Sequence, residues 1–338
     1  MPNILDVFSG DAFSAINMTL AINKLPVVPG RIGSMGLFNE QGVSTTVVVL
    51  EERDGIIALV PTQPRGGPTN YGRGEKRKAR SFQVPHIPLD DAILANDIQN
   101  VRKFGSNDEL EGIYSAVNDK LMALKRSLDA TVEYHMAGAL QGNILDADGS
   151  SVIYNLFTVF DLTETEVDFI LNNSDTNVGQ KCIDVKREIE SALGGTPMSG
   201  VHALCGKDWW DAFVAHDDVK DAWARYQDGA FFRVDNRAGF EFKGILFEEY
   251  NYSVGDITYI PTDEARFFPE GVPGLFMRFN APGDFIEAAN TIGLPYYAKQ
   301  EIMKFGRGIE ITTEANPLCI CTRPQCLVKG VLDDTTQG

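Results

Sequence analysis

The chain lacks any run of the ~18–20 apolar residues that a membrane-spanning helix requires, so neither a span nor a membrane partner is expected. Its start, MPNILDVFSGDAF, carries acids where a secretory leader carries a basic segment. Positive charge is also in deficit: 30 lysines and arginines face 47 acids, for a net charge of -17. That excludes a protein gripping phosphate over its whole surface, because counterion release needs basic groups. It permits a surface that lies beside nucleic acid without adhering to it. Cysteine is scarce and odd in number, five in 338 residues, which points to reduced thiols in a cytoplasmic setting rather than a disulfide framework. No internal repeat is present.

Catalytic signatures are missing as well. There is no Gly-x-Gly-x-x-Gly after a strand, no Walker loop, no His-Glu-x-x-His and no Gly-x-Ser-x-Gly elbow. No catalytic, cofactor-binding or metal-ligating residue is therefore assigned, and an enzyme is not expected. The four histidines, His86, His135, His202 and His216, share no ligand spacing. His135 is expected to be a hydrogen-bonded core residue. One cluster has ligand potential: Cys319, Cys321 and Cys326 lie within eight residues and would bind zinc with one distant partner, Cys182, Cys205 or a histidine. Yet Cys-x-Cys on a strand turns both thiols to one face, whereas metal knuckles use a two-residue turn. Buried packing thiols are the favoured reading. Asp146-Ala-Asp-Gly-Ser150 lacks the downstream acid of a calcium loop and reads as a turn.

What is present is a globular chain, 43% hydrophobic and long enough for two or three packed lobes. Its longest feature is Ser106 to Gly142. Ser106 and Glu109 make a capping-box start, and Gly142 supplies the stop. Leu110, Tyr114, Val117, Leu121, Leu124 and Leu128 step by four and three, which places them on one stripe of a helix ~50 Å long. Asp11 to Asn23 reads as a short amphipathic helix, with Phe13, Ile16 and Leu20 on one side. Val43 to Leu50 is strand-like, Asp54-Gly55 is a hairpin turn, and Ile56 to Val60 is the expected return strand.

The segment 61–81 is rich in Gly and Pro. Within it Arg65, Arg73, Lys76, Arg77, Lys78 and Arg80 face a single acid, Glu75, for a local balance of +5. A charge run is usually a solvated face. The favoured reading here is a contact arm for an acidic neighbour, most economically another copy of the chain. Beyond the long helix, Ser151 to Phe160 alternates as a strand, and Val178 to Leu193 has helical spacing with a Gly194-Gly195 stop. Strands are expected at Val201–Cys205, Phe240–Phe247, Ile257–Ile260, Leu275–Phe279, Ile309–Thr313 and within Leu318–Val328. A helix holds Trp209, Trp210 and Phe213, and Arg266 to Gly274 reads as turn-rich. This order fits an α+β fold.

Several of these stretches resemble the major capsid protein of lambda-like tailed bacteriophages, the phage capsid protein E family. They include Leu204-Cys-Gly-Lys-Asp-Trp-Trp-Asp, Gly244-Ile-Leu-Phe-Glu-Glu-Tyr250 and Pro269-Glu-Gly-Val-Pro-Gly-Leu-Phe276. Asn290-Thr-Ile-Gly-Leu-Pro-Tyr-Tyr-Ala-Lys299 and Asn316-Pro-Leu-Cys-Ile-Cys-Thr-Arg-Pro324 continue the pattern. Leu50-Glu-Glu-Arg-Asp-Gly and Ser81-Phe-Gln-Val-Pro-His-Ile carry it into the first half.

The resemblance implies a Hong Kong 97-type capsid fold with five parts. Residues 1–42 would be an N-terminal arm and 43–90 the β-hairpin with its extended loop. Residues 91–175 would be a peripheral domain whose spine helix is 106–142, 176–285 an axial domain, and 286–338 the return to the peripheral domain with the tail. The apolar stripe of the spine is expected to rest on a peripheral sheet that Ser151–Phe160 and the tail help build. Self-assembly as hexamers and pentamers into an icosahedral head around double-stranded DNA is implied, with the DNA met by proximity only. A decoration protein, a portal and, given the short arm before residue 43, a separate scaffolding protein are the implied partners. The implied place is the virion, assembled in the host cytoplasm. Lys76 and Lys78 match no cross-linking motif, so that chemistry is not assigned. Two alternatives stand beside this reading: an encapsulin-like nanocompartment shell, and a cytoplasmic thiol or metal protein using Cys319, Cys321 and Cys326.

Overall fold

A computed structural model describes residues 14–25, 30–53, 77–94, 97, 109–226 and 239–332. Helices and strands are interleaved, and the chain divides into two compact units. Met1–Val48, Phe82–His135 and Met277–Cys319 make the first; Val49–Ser81, Met136–Phe276 and Ile320–Gly338 make the second.

The first unit is built on the helix Glu109–Gln141, which contributes its length up to His135. Val117, Leu121, Leu124 and Leu128 are all buried, as their spacing on one stripe requires. They pack against Ile93, Ala298, Ile309 and Ile311 of a three-stranded antiparallel sheet, with Met18 and Ile22 added from the helix Ala15–Lys24. In that sheet Gly308–Ala315 lies between Ile87–Leu94 and Tyr297–Ile302, with Ile309 opposite both Ile93 and Ile302. Burying each of those four stripe residues contributes roughly 1.5–3 kcal/mol as an upper bound. The sheet beneath the stripe is thus not the one expected. Its tail-side strand is present, but Ser151–Phe160 belongs to the second unit.

The short N-terminal helix is capped by Ser14, whose hydroxyl accepts from the Asn17 amide at 3.4 Å. Thr19 fixes it to the sheet edge: its hydroxyl donates to the Ala298 carbonyl and accepts from the Ala298 amide, both at 3.2 Å. The buried side is Met18, Thr19 and Ile22, whereas Ile16 and Leu20 are exposed. Burial therefore falls on a different face from the Phe13–Ile16–Leu20 side noted in the sequence.

The second unit holds a six-stranded mixed sheet. Its order is Thr165–Asp168, Val328–Val331, Glu264–Glu270, Gly200–Cys205, Ile245–Glu249, Phe240–Phe242. The helix Val178–Leu193 begins at Asn177, whose side chain accepts from the Gln180 amide, and ends at Gly194 with φ 59°. The helix Lys207–Ala215 supplies Trp209 and Phe213, which pack on the sheet residues Phe247 and Phe267 with Phe169 alongside. Phe213 and Phe247 stack with centroids 4.3 Å apart, at the centre of an aromatic group set among aliphatic side chains such as Val185, Ile189 and Ile245.

Several local readings need correction. Ser151–Phe160 is a strand only over Val152–Asn155; Leu156–Phe160 is helical, because Asn155 Oδ1 accepts from the Thr158 amide at 2.9 Å and caps a new turn. Arg266–Pro269 is part of a central strand, and the turn is confined to 271–274, where Gly271 and Gly274 have φ of 71° and 68°. The strand read at Val43–Leu50 starts at Val47, since the Val43 amide and carbonyl are already engaged by Asn280 and Gly293. The strand that pairs with Val47–Arg53 is Arg77–Gln83; the return strand read at Ile56–Val60 lies outside the described residues, as do Asp54-Gly55 and the Ser106 cap. The stop at Gly142 stands: its φ is 75°, and a Cβ there would sit 2.4 Å from the Phe157 ring.

Candidate functional site

The ribbon of Val47–Arg53 and Arg77–Gln83 carries the described end of the basic run. Arg65, Arg73 and Lys76 lie outside the described residues, and Arg77 and Lys78 sit on the second strand of the ribbon. Arg80, on the same strand, is held inside its own subunit. Its guanidinium stands 5.0 Å from the Phe160 ring centroid, donates to the Val159 carbonyl and reaches Asp161 Oδ2 at 3.2 Å. Asp161 is 78% exposed, so the ion pair contributes little, whereas the carbonyl of a helix's last turn gains a donor it otherwise lacks. Arg80 anchors the base of the ribbon.

Charges buried in the first unit are committed to fixing the segment that follows the N-terminal helix. Glu133 on the long helix accepts from the amides of Ile32 and Gly33 at 2.6 and 3.0 Å, at the start of the helical turn Arg31–Ser34. Gly30 makes room for that carboxylate: a Cβ there would lie 2.2 Å from Glu133 Cδ. Arg278 reaches Asn280 Oδ1 at 3.2 Å and Glu40 Oε1 at 3.5 Å, while Asn280 donates to Glu40 at 2.8 Å. Lys125 donates to the Leu25 carbonyl at 2.8 Å and lies 5.1 Å from the Tyr296 ring centroid. The Tyr296 hydroxyl donates to Asp129. Burial lowers the Lys125 pKa and raises that of Asp129. His135 is buried, as a core histidine should be.

The second unit repeats the theme. His202 lies between Glu270, at 2.9 Å from Nδ1, and Glu248, at 3.3 Å from Nε2. Arg266 bridges Glu164 at 2.6 Å and Glu264, and Lys329 spans Glu264 and Glu166 at 3.1 and 3.3 Å. These cross-strand ladders tie neighbouring strands together.

The cysteine cluster is buried whole. Burial pushes the Cys319 thiol up to about 12 and Cys326 up to about 11, and raises Cys321 as well. A thiol held protonated is neither a ready nucleophile nor a ready metal ligand. Among the described residues no group of three or more His, Cys, Asp or Glu is placed to hold a metal ion. No described helix is long and apolar enough to cross a membrane. One surface went unread in the sequence: an apolar groove of about 260 Å³ lined by Ile16, Leu20, Phe285, Ala288, Ile292 and Leu294. The exposed pair Ile16 and Leu20, at i and i+4, was its only signal.

Comparison with known proteins places these features together. The family described as Phage major capsid protein E matches residues 14–332. A major capsid protein of Pseudomonas phage KPP10 is 30% identical, covering 94% of this chain and 96% of that protein. A major capsid protein of Salmonella phage Felix O1 is 23% identical, covering 94% and 95%. Among solved structures, a putative capsid protein of a prophage of E. coli CFT073 aligns with a TM-score of 0.58 at 12% identity, over 94% of this chain and 99% of that one. At that identity the likeness is one of fold, and it bears out the α+β, Hong Kong 97-type architecture. Kinship with lambda in particular rests on the sequence motifs alone.

Proposed function

The chain belongs to the phage major capsid protein E family, structural proteins of the virion, and on that premise we propose that its copies assemble as hexamers and pentamers into an icosahedral head enclosing double-stranded DNA. The observation that carries this reading is the unbroken family match over residues 14–332, which spans both compact units. The first unit takes the part of the peripheral domain with its arm and most of its spine, and the second unit, which holds 176–276, supplies most of the axial lobe expected over 176–285. The spine helix stiffens the wall, because its stripe is locked to a sheet along several turns. A net charge of -17 suits a wall that must not bind the polyanion packed beside it.

Arg65, Arg73, Lys76, Arg77 and Lys78 reach acidic ground on a neighbouring copy, from a ribbon whose base Arg80 secures. A decoration protein, a scaffolding protein and a portal complete the set of partners, and assembly takes place in the host cytoplasm. The two phage relatives favour a genome-holding shell over a nanocompartment. The protonated, buried thiols speak against a thiol or metal protein. Electron microscopy of the purified chain tests the proposal: shells or hexameric and pentameric capsomers are expected, and a compact monomer under all assembly conditions would refute it.

A further inference from the structure

We propose that the tip of the hairpin formed by Tyr297–Ile302 and Gly308–Ala315 docks, through Phe305, into the apolar groove beside the N-terminal helix of a second copy. The inference rests on the self-assembly reading and names one contact within it. Phe305 is 92% exposed and adopts φ 64°, a left-handed backbone that a bulky side chain seldom takes. The turn holds it there through the Gly306 amide to the Met303 carbonyl and the Met303 amide to the Gly308 carbonyl, both at 3.0 Å. A ring fixed in solvent at a hairpin tip is shaped as a knob.

The groove is the matching hole. Ile16 and Ile292 are 68% and 71% exposed on its walls, and Ile286, between the lining residues Phe285 and Glu287 in the chain, is 94% exposed. A contiguous apolar surface of this kind marks an interaction site. Its own hairpin tip cannot fill it. Tyr297 lines the groove, and Phe305 lies beyond the far end of the strand Tyr297–Ile302, some ~20 Å along at ~3.3 Å per residue.

Charge selects a second copy as the occupant. Lys304 and Arg307 flank the ring, with the Arg307 guanidinium 5.8 Å from its centroid. Glu287 lines the groove and is exposed, sharing Lys299 at 2.9 Å, and Asp284 is exposed next in the chain to the lining Phe285. Further down the hairpin, Glu301 and Glu310 stand opposite each other, so the acidic rim is repelled from the strands and the contact is confined to the tip. Knob and hole occupy different places on the subunit, so the contact is heterologous and propagates from copy to copy.

Two full-length variants test it, Phe305→Cys and Ile292→Cys, assembled together and treated with a short bis-maleimide. The native thiols are buried and serve as a silent background. A covalent dimer is expected in mixed particles and not in particles of either variant alone. Mixed shells without that dimer overturn the contact while leaving the shell reading intact. So does protection of the Ile292→Cys thiol in shells without dimer, which would mean another polypeptide fills the groove. A wild-type chain that never assembles overturns both. Phe305→Ser provides the second measurement. Subunit melting should be unchanged, because the ring is in solvent, while the concentration at which assembly begins rises about tenfold or more. An unchanged onset would sink the proposal.

Discussion

Replacing Glu133 with Ala probes how the chain after the N-terminal helix is tied to the spine. The carboxylate is 4% exposed and accepts two backbone amides, one from the buried Ile32 and one from the exposed Gly33. Its removal leaves the Ile32 amide without this acceptor in the interior, at about 1–3 kcal/mol, whereas the Gly33 amide turns to water. Adding the lost charge-assisted bonds and subtracting the relief of not burying a carboxylate gives a net loss of about 2–4 kcal/mol. For a unit of this size that lowers its melting transition by roughly 5–15 °C.

Gly30→Ala supplies the decisive partner. The Gly30 backbone is at φ -63°, which Ala adopts freely, so its cost of about 1–3 kcal/mol arises from the clash with Glu133. In the double variant the clash is gone. Glu133→Ala with Gly30→Ala should therefore be markedly more stable than the sum of the two losses, with a coupling energy near that of the clash. Calorimetry and urea unfolding of the unassembled subunit, read on the first transition, measure all four corners of the cycle. Additivity within about 0.5 kcal/mol would falsify the idea that Glu133 and Gly30 form one latch.

Changing Arg73, Lys76, Arg77 and Lys78 together to Ser should leave subunit folding intact and weaken assembly; normal shells from that variant would end the contact-arm role. Arg80→Ser is expected to differ in kind, costing the subunit about 1–2 kcal/mol in thermal melts, because its partners are internal. All five thiols should resist a thiol-specific colour reagent in the native protein and react together on unfolding. Rapid native labelling of Cys319 or Cys321 would contradict their burial.

Glu314 is held above the usual carboxylate range by burial, although it accepts the Asp284 amide at 2.7 Å and has His86 Nδ1 at 3.3 Å. Its folded pKa exceeds its unfolded one, so its contribution is fully present below about pH 4.3 and is lost as pH rises through the folded value. Glu314→Gln keeps the acceptor and should flatten that decline in urea midpoints; an unchanged slope would show that another group causes it.

The elements bounded by local chemistry were legible from residue order. Val178–Leu193 sits between a capping Asn and a left-handed Gly, and the long helix stops at Gly142, whose φ of 75° is a left-handed conformation that glycine adopts without penalty. The stripe Val117–Leu128 was readable too, since helical geometry alone puts those side chains on one face. Where two local rules competed, one misled: Ser151–Phe160 alternates as a strand should, yet Asn155 caps a helix in its middle.

What tertiary structure alone decided were the partners. The stripe meets strands drawn from Ile87–Leu94, Tyr297–Ile302 and Gly308–Ala315, and nothing in a stripe's spacing states which distant strands will cover it. Likewise Glu133 belongs to no apolar stripe, and its place in the sequence names no partner for it. Only the approach of a turn from about a hundred residues upstream made it a buried acceptor. Ile16 and Leu20 looked like core and became the wall of a groove, because Met18 and Ile22 had already taken the sheet. Local sequence sets an element's length and its apolar face through short-range sterics and capping. Which face is buried, and against what, depends on contacts between residues that are neighbours only in space.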